Sequence, residues 1–202
     1  MSLRLRLASR WGRGEALLGA LERVETLTIG ALDALLEKSA PAALAVLRGP
    51  PGGPIRTLDE RRAAMATAQN ARVKALVDAL GREVAVRIGR EALFPVGMTL
   101  GREARKRLDV GDSAEELGRA AAILYRALGI DFTLEARDGG GMMMRVHRCA
   151  LAGRYTEEAC EILSAADEGV VAGLSPKFRM SFEERMTGGH PCCLARIWEA
   201  RE

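Results

Sequence analysis

Apolar positions fall three and four residues apart along most of the chain and two apart in its last third. Leu17, Leu21, Val24, Thr28, Leu32 and Leu35 form one stripe over residues 14 to 38, with Glu22, Arg23, Asp33 and Glu37 on other faces, which predicts an amphipathic helix. Pro41 opens a short second helix, PAALAVL. RGPPGGPI then places three prolines and three glycines in eight residues, a loop and the expected boundary between an N-terminal helical segment, 1–48, and an α+β domain, 57–202. Thr57 with Glu60 makes a capping box ahead of LDERRAAMATAQNARVKALVDAL. Helical pattern continues through GREVAVRIGREALF and is expected to stop near Pro95, leaving TLGREARKRL as a separate short, basic helix. GDSAEELGRAAAILYRALG follows, capped by Ser113, with Glu116 at the box position and Gly129 closing it.

Beyond Gly129 the period is two. Phe132, Leu134 and Ala136 alternate with Asp131, Thr133, Glu135 and Arg137; after the turn DGGG, Met142, Met144 and Val146 alternate with Arg145, His147 and Cys149. That is a β-hairpin. Thr156 caps EEACEILSAADEGVVAGL, which ends at Gly173 and Pro176. KFRMSFEER and PCCLARIWE form a second hairpin about MTGGH. The fold class is α+β, with N-terminal helices followed by a β-β-α-β-β antiparallel sheet and helices packed on one of its faces.

Apolar residues make up 48% of the 202, but only two are Trp, two Tyr and four Phe, so small aliphatic side chains must do most of the packing. A net charge of +3, with Arg spread among Glu and Asp and few aromatics, gives no expectation of nucleic-acid binding. No run approaches the roughly 20 apolar residues of a membrane span. MSLRLRLASRWGRG is Arg-rich and acid-free as a transit peptide is, though a basic lead-in is the plainer reading, and a cytoplasmic location is expected. The Leu/Ala stripe at 17–35 is a candidate homodimer surface.

Candidate chemistry gathers at the four cysteines. Strand parity puts Arg145, His147 and Cys149 on one face of the second strand. Cys160 lies one turn into a helix, where backbone amides favour a thiolate. HPCC brings His190, Cys192 and Cys193 to the fourth strand, and adjacent strand residues point oppositely, so only one of these two cysteines is expected to face the others. Cys149, Cys160, Cys192, Cys193 and His190 are thus candidate ligands for zinc or an iron–sulfur cluster, although there is no CxxC spacing. The plainer alternative is that free cysteines act as small buried apolar residues. Arg145 and Arg179 are candidate clamps for a substrate carboxylate, on a polar sheet face with Thr133, Glu135, Ser181 and Glu183 that otherwise reads as solvated. GGG at 139–141 opens no helix, so it is not a phosphate loop.

HRCALAGRYTEEACEILSAADEGVVAGLSPKFRMSFEERMTGGHPCCLARIWE resembles the end of the L-2-amino-thiazoline-4-carboxylic acid hydrolase-like family. The shared pattern is a strand ending in Cys, a helix with a second Cys, an acidic residue before a GL-P exit, and a closing hairpin with Gly just ahead of one or two Cys. The layout is also similar to the 4-vinyl reductase domain, a small-molecule-binding module related in fold to vesicle-tethering subunits. The resemblance spans roughly residues 80 to 200, and this chain departs from it at His190 and Pro191, where acidic residues are common. It implies water attack on the C=N carbon of a cyclic amidine, which opens the ring. A thiolate-bound metal would activate the water, or Cys149 would attack with His147 as its base. Glu158 or Glu161 would shuttle the proton and Arg145 would hold the carboxylate. The competing reading is a non-catalytic domain that binds or senses a small molecule, metal or iron–sulfur cluster.

Overall fold

A computed structural model describes residues 4–5, 14–48, 57–137 and 141–200. The basic N-terminal stretch, the Pro/Gly loop and the tip of the first hairpin fall largely or wholly outside that set. Five helices precede the sheet: α1 (Gly14–Ser39), α2 (Pro41–Leu47), α3 (Leu58–Leu80), α4 (Arg82–Leu108) and α5 (Ala114–Leu128). Strands β1 (Ile130–Ala136) and β2 (Met142–Cys149), helix α6 (Glu157–Leu174), and strands β3 (Phe178–Glu184) and β4 (Cys193–Glu199) complete the chain. The Thr57–Glu60 box is formed in both directions, and Ser113 and Thr156 accept the expected N-terminal amides.

One expectation fails at Pro95. Helix α4 runs for 27 residues straight through it, so TLGREARKRL is the end of that helix and not a separate one. Proline orphans the carbonyl four residues earlier, here at Glu91, and both residues lie on the exposed side where water can satisfy it. The opposite side of α4 is clamped to α6 by a seam of small residues. A Cβ on Gly97 would overlap the Ala166 carbonyl, one on Gly101 the Val170 carbonyl, and in return one on Gly169 the Phe94 carbonyl. Contact this close along two long helices outweighs a local break.

The sheet is antiparallel throughout, in the order β1-β2-β4-β3, so the two hairpins join through β2 and β4. Met144, Val146, Phe178, Met180, Cys193, Ala195 and Ile197 point inward to a core shared with α5 and α6. A second core joins α1 and α2 to α3, α4 and α6 through Leu32, Leu36, Leu44, Val73, Leu93 and Ile162. No described helix is long and apolar enough to cross a membrane.

The alternation on β2 is broken near its end. Phe132 pairs with Val146 but Asp131 pairs with Arg148, so His147 is an extra residue without a partner on β1. Such a bulge reverses which side later residues face. His147 and Arg148 both point out, and Cys149 turns inward beside Ile130. The expectation that His147 and Cys149 share a face is therefore corrected.

Candidate active site

Under the inner face of the sheet, at the end where β2 and β4 meet the start of α6, lies a cavity of about 90 Å³ open to the centres of water-sized spheres. That is several times the ~10–15 Å³ that one water requires. Its wall is mostly apolar, and it collects Cys149 from the end of β2, Cys160 and Asp167 from α6, and Cys193 from the start of β4. Tyr125, Tyr155, Ser164, Arg185 and Thr187 are among its other polar residues.

Cys149, Cys160 and Cys193 thus line one cavity, Cys149 only because the bulge at His147 turns it inward, and of the adjacent pair Cys193 faces in. Cys192, one residue before β4, lies on the other side, where Arg145 Nη1 donates to its sulfur at 3.4 Å. Arg145 also sits 3.6 Å from Glu135. His147 Nε2 is 2.9 Å from Thr133 Oγ1 on that same outer side, and His190 is exposed, 3.5 Å from Glu184. Glu158 is on the helix surface, 3.6 Å from Arg82, and Glu161 shares that arginine at 2.9 Å. Arg179 donates to the Pro176 and Phe178 carbonyls, away from the cavity. Among the described residues no three His, Cys, Asp or Glu side chains are grouped as metal ligands, so the geometry lends the zinc and cluster readings no support.

Burial dominates the electrostatics. It pushes the Cys149 thiol up to about 11, although the amides of Leu151 and Ala152 pull the other way. It also raises Cys160 and Cys193, so the thiolate expected at the N-terminal turn of α6 is overturned: desolvation there exceeds what the helix terminus supplies. The Met186 N–H donates to Cys193 Sγ at 3.3 Å. These are protonated thiols.

Asp167 is the group that the sequence reading passed over. Its carboxyl is pushed up to about 7, first by burial and then by neighbouring Glu168, while the Tyr125 hydroxyl, its hydrogen-bonding neighbour, and Arg185 favour the charged form. Asp167 is half-buried and lines the cavity. Tyr125 is fixed edge-on against Phe132, 5.5 Å between ring centres. On the opposite wall Tyr155 donates to Gln69 at 2.5 Å and Gln69 to Thr28 at 2.7 Å, a buried polar chain that ties α1 and α3 to the cavity. A usable signal for Asp167 was present: α6 is apolar on almost every side, and a helix of that kind is buried together with any acid in its middle.

The profile of L-2-amino-thiazoline-4-carboxylic acid hydrolase matches residues 60–197, which spans every strand and most of the cavity wall. The chain belongs to the L-2-amino-thiazoline-4-carboxylic acid hydrolase family. No curated protein matches it. Among solved structures it is similar in fold to trafficking protein particle complex subunit 3 from Naegleria fowleri, a structure with palmitic acid covalently bound. The TM-score is 0.52 at 10% identity, covering 69% of this chain and 95% of that one. The phenol-responsive sensory domain of the transcription activator PoxR, solved with phenol, scores 0.49 at 18% identity over 68% and 74% of the two chains. This chain places the Asp167 carboxyl and the thiols of Cys149, Cys160 and Cys193 around one cavity.

Proposed function

We propose that this protein is a small-molecule hydrolase that opens a cyclic amidine ring of the 2-aminothiazoline type, with Asp167 as its acid–base group. The observation that carries the reading is the carboxyl of Asp167, held near neutrality in an apolar cavity. A general acid–base works best with a pKa near the working pH. As a carboxylate, Asp167 takes a proton from water while the water oxygen bonds to the amidine carbon. The substrate enters as the amidinium, its ring nitrogen already protonated, so the C=N electron pair moves to that nitrogen. Asp167 then returns its proton to the departing ring heteroatom as the carbon–heteroatom bond breaks and the new hydroxyl becomes a carbonyl, its proton passing to solvent in place of the one that made the amidinium, so the sum is addition of one water. Before attack the same carboxylate offers the amidinium a counter-charge. Cys149, Cys160 and Cys193 shape the wall as neutral thiols.

Incubation with 2-amino-thiazoline-4-carboxylate, followed by mass spectrometry, tests this. A product heavier by one water, formed by the wild type and lost in Asp167→Asn, is expected. Absence of turnover in the wild type, or full turnover in the variant, overturns it.

A second reading, capture of an apolar small molecule without turnover, is favoured by the mostly apolar wall and by the fold shared with a protein solved holding palmitic acid. Saturable binding with the ligand recovered unchanged would select it.

A further inference from the structure

Arg145 and Arg179, the two arginines that the sequence offers as carboxylate clamps, both lie outside the cavity. We infer that the turn carrying Arg185 and Thr187 recognises the carboxylate of the ligand and so selects what the cavity accepts. This rests on the cavity being the site, and it assigns the residues that choose its occupant.

Among the described residues Arg185 is the only Lys or Arg in the cavity wall. Among the described residues it forms no salt bridge; Asp167 acts on it through space but is not paired with it, and is itself half neutral near pH 7. The guanidinium is half-buried and has no bonded counter-ion, so an anion entering the cavity would pair with it. The side chain is already set for the purpose. Nε and Nη2 donate to Ser164 Oγ at 3.3 and 2.9 Å, and the guanidinium carbon lies 5.3 Å from the Phe182 ring centre. Those contacts leave Nη1 uncommitted.

The support behind it is fixed too. Ser164 also receives Arg90 Nη1 at 3.3 Å, and Arg90 is neutralised by Glu168 through two bonds of 3.0 and 2.8 Å. The turn itself is held by Gly188 N–H to the Arg185 carbonyl at 3.0 Å and by Gly189, at φ 88, closing onto Met186. Only a glycine takes that backbone angle without strain.

Thr187 supplies the second observation. Its Oγ1 is the one buried side-chain nitrogen or oxygen atom without a hydrogen-bond partner among the described residues. Its neighbour is the Cys160 thiol, whose charged form it favours as a hydrogen-bonding side chain. A thiol is a weak hydrogen-bonding partner, so a bound oxygen acceptor would serve this hydroxyl better. A free guanidinium donor and a hydroxyl two residues apart on one turn match the two oxygens of a carboxylate.

Titration calorimetry on the Asp167→Asn background, where turnover does not intervene, compares two probes: 2-amino-2-thiazoline-4-carboxylate and 2-amino-2-thiazoline, which lacks the carboxylate. The carboxylate-bearing probe is expected to bind about tenfold or more tightly, the size of a buried charged hydrogen bond. Adding Arg185→Met should abolish that preference, Arg185→Lys should keep part of it, and Thr187→Val should lower it a few-fold while leaving the other probe unaffected. Circular dichroism and melting midpoints show that each variant is folded, and Arg185→Lys guards against a Met variant that is not. Equal binding of the two probes, no binding of either, or a preference that survives Arg185→Met overturns the assignment. No ring opening by the wild type, with the Arg185-dependent preference intact, would sink the hydrolase reading alone; turnover without that preference would sink this one alone.

Discussion

The two sides of the sheet carry the same residue types to opposite ends. On the outer side Arg145 reaches Cys192 and Glu135, and the exposed His147 pairs with Thr133. On the inner side Cys149, Cys193, Arg185 and Asp167 line a mostly apolar cavity, where burial raises the thiols and pushes the Asp167 carboxyl up to about 7. The chemistry available to a side chain here is set by which side of a four-stranded sheet it faces. The dielectric on each side makes the difference: surface charges are screened, buried ones are not.

The sharpest way to break that contrast is a pair of substitutions. Asp167→Asn should lower ring-opening kcat/KM by about 10²–10⁴, the usual contribution of general acid–base catalysis, while His147→Ala, outside the cavity, should leave it unchanged. Steady-state assays on both variants decide it, and a loss on the His147 side would move the site to the other face.

The same aspartate makes a stability prediction. Its folded pKa, about 7, lies above its ordinary 3.8, so between those values the native state holds a proton that the unfolded chain has released. Stability from this group is fully present below pH ~4 and is lost as pH rises through 7, on the order of 4 kcal/mol at ~1.4 kcal/mol per pKa unit. Urea unfolding between pH 4 and 8 should show that decline in the wild type and a flatter profile in Asp167→Asn.

The helices that roof the inner side give a smaller effect. Gly97→Ala forces a methyl into the α6 backbone and should cost about 1–3 kcal/mol or more. Gly30→Ala, in α1 with nothing within 4 Å of the new methyl, should instead stabilise by up to ~1 kcal/mol. Melting curves of the two variants should move in opposite directions. Thiol labelling is subtler: a small alkylating agent at neutral pH should modify Cys192 first and the three cavity cysteines about tenfold or more slowly, since the thiolate is the reactive form. Peptide mapping over a time course reads the order. Least of all, Arg145→Ala should leave the melting temperature unchanged, because its exposed pairings are screened.

Much of this architecture is legible in the chain itself. The caps at Thr57, Ser113 and Thr156 are local hydrogen bonds between residues three apart, and the strand alternation is a property of single segments. Opposite pointing of Cys192 and Cys193 follows from the same period, and Cys149, Cys160 and Cys193 do share a space. Arg145, Arg179, His147, His190 and Glu158, by contrast, stand apart from it. Their residue types suited the chemistry, but type does not report depth. Arg185, two residues beyond Glu183 in a turn, reads as one more surface charge until Ser164 and Phe182 are seen around it.

Sequence alone determined where helices begin, where the period changes to two, and that the thiols come from elements able to meet, because those depend on neighbours within a few residues. Only the folded chain decided that α4 continues through Pro95, that a bulge at His147 turns Cys149 inward, and that Asp167 is enclosed. Each of these depends on a partner far along the chain: α6 against α4, β1 against β2, the sheet against α6. No pattern confined to one segment contains the energy of a contact with another.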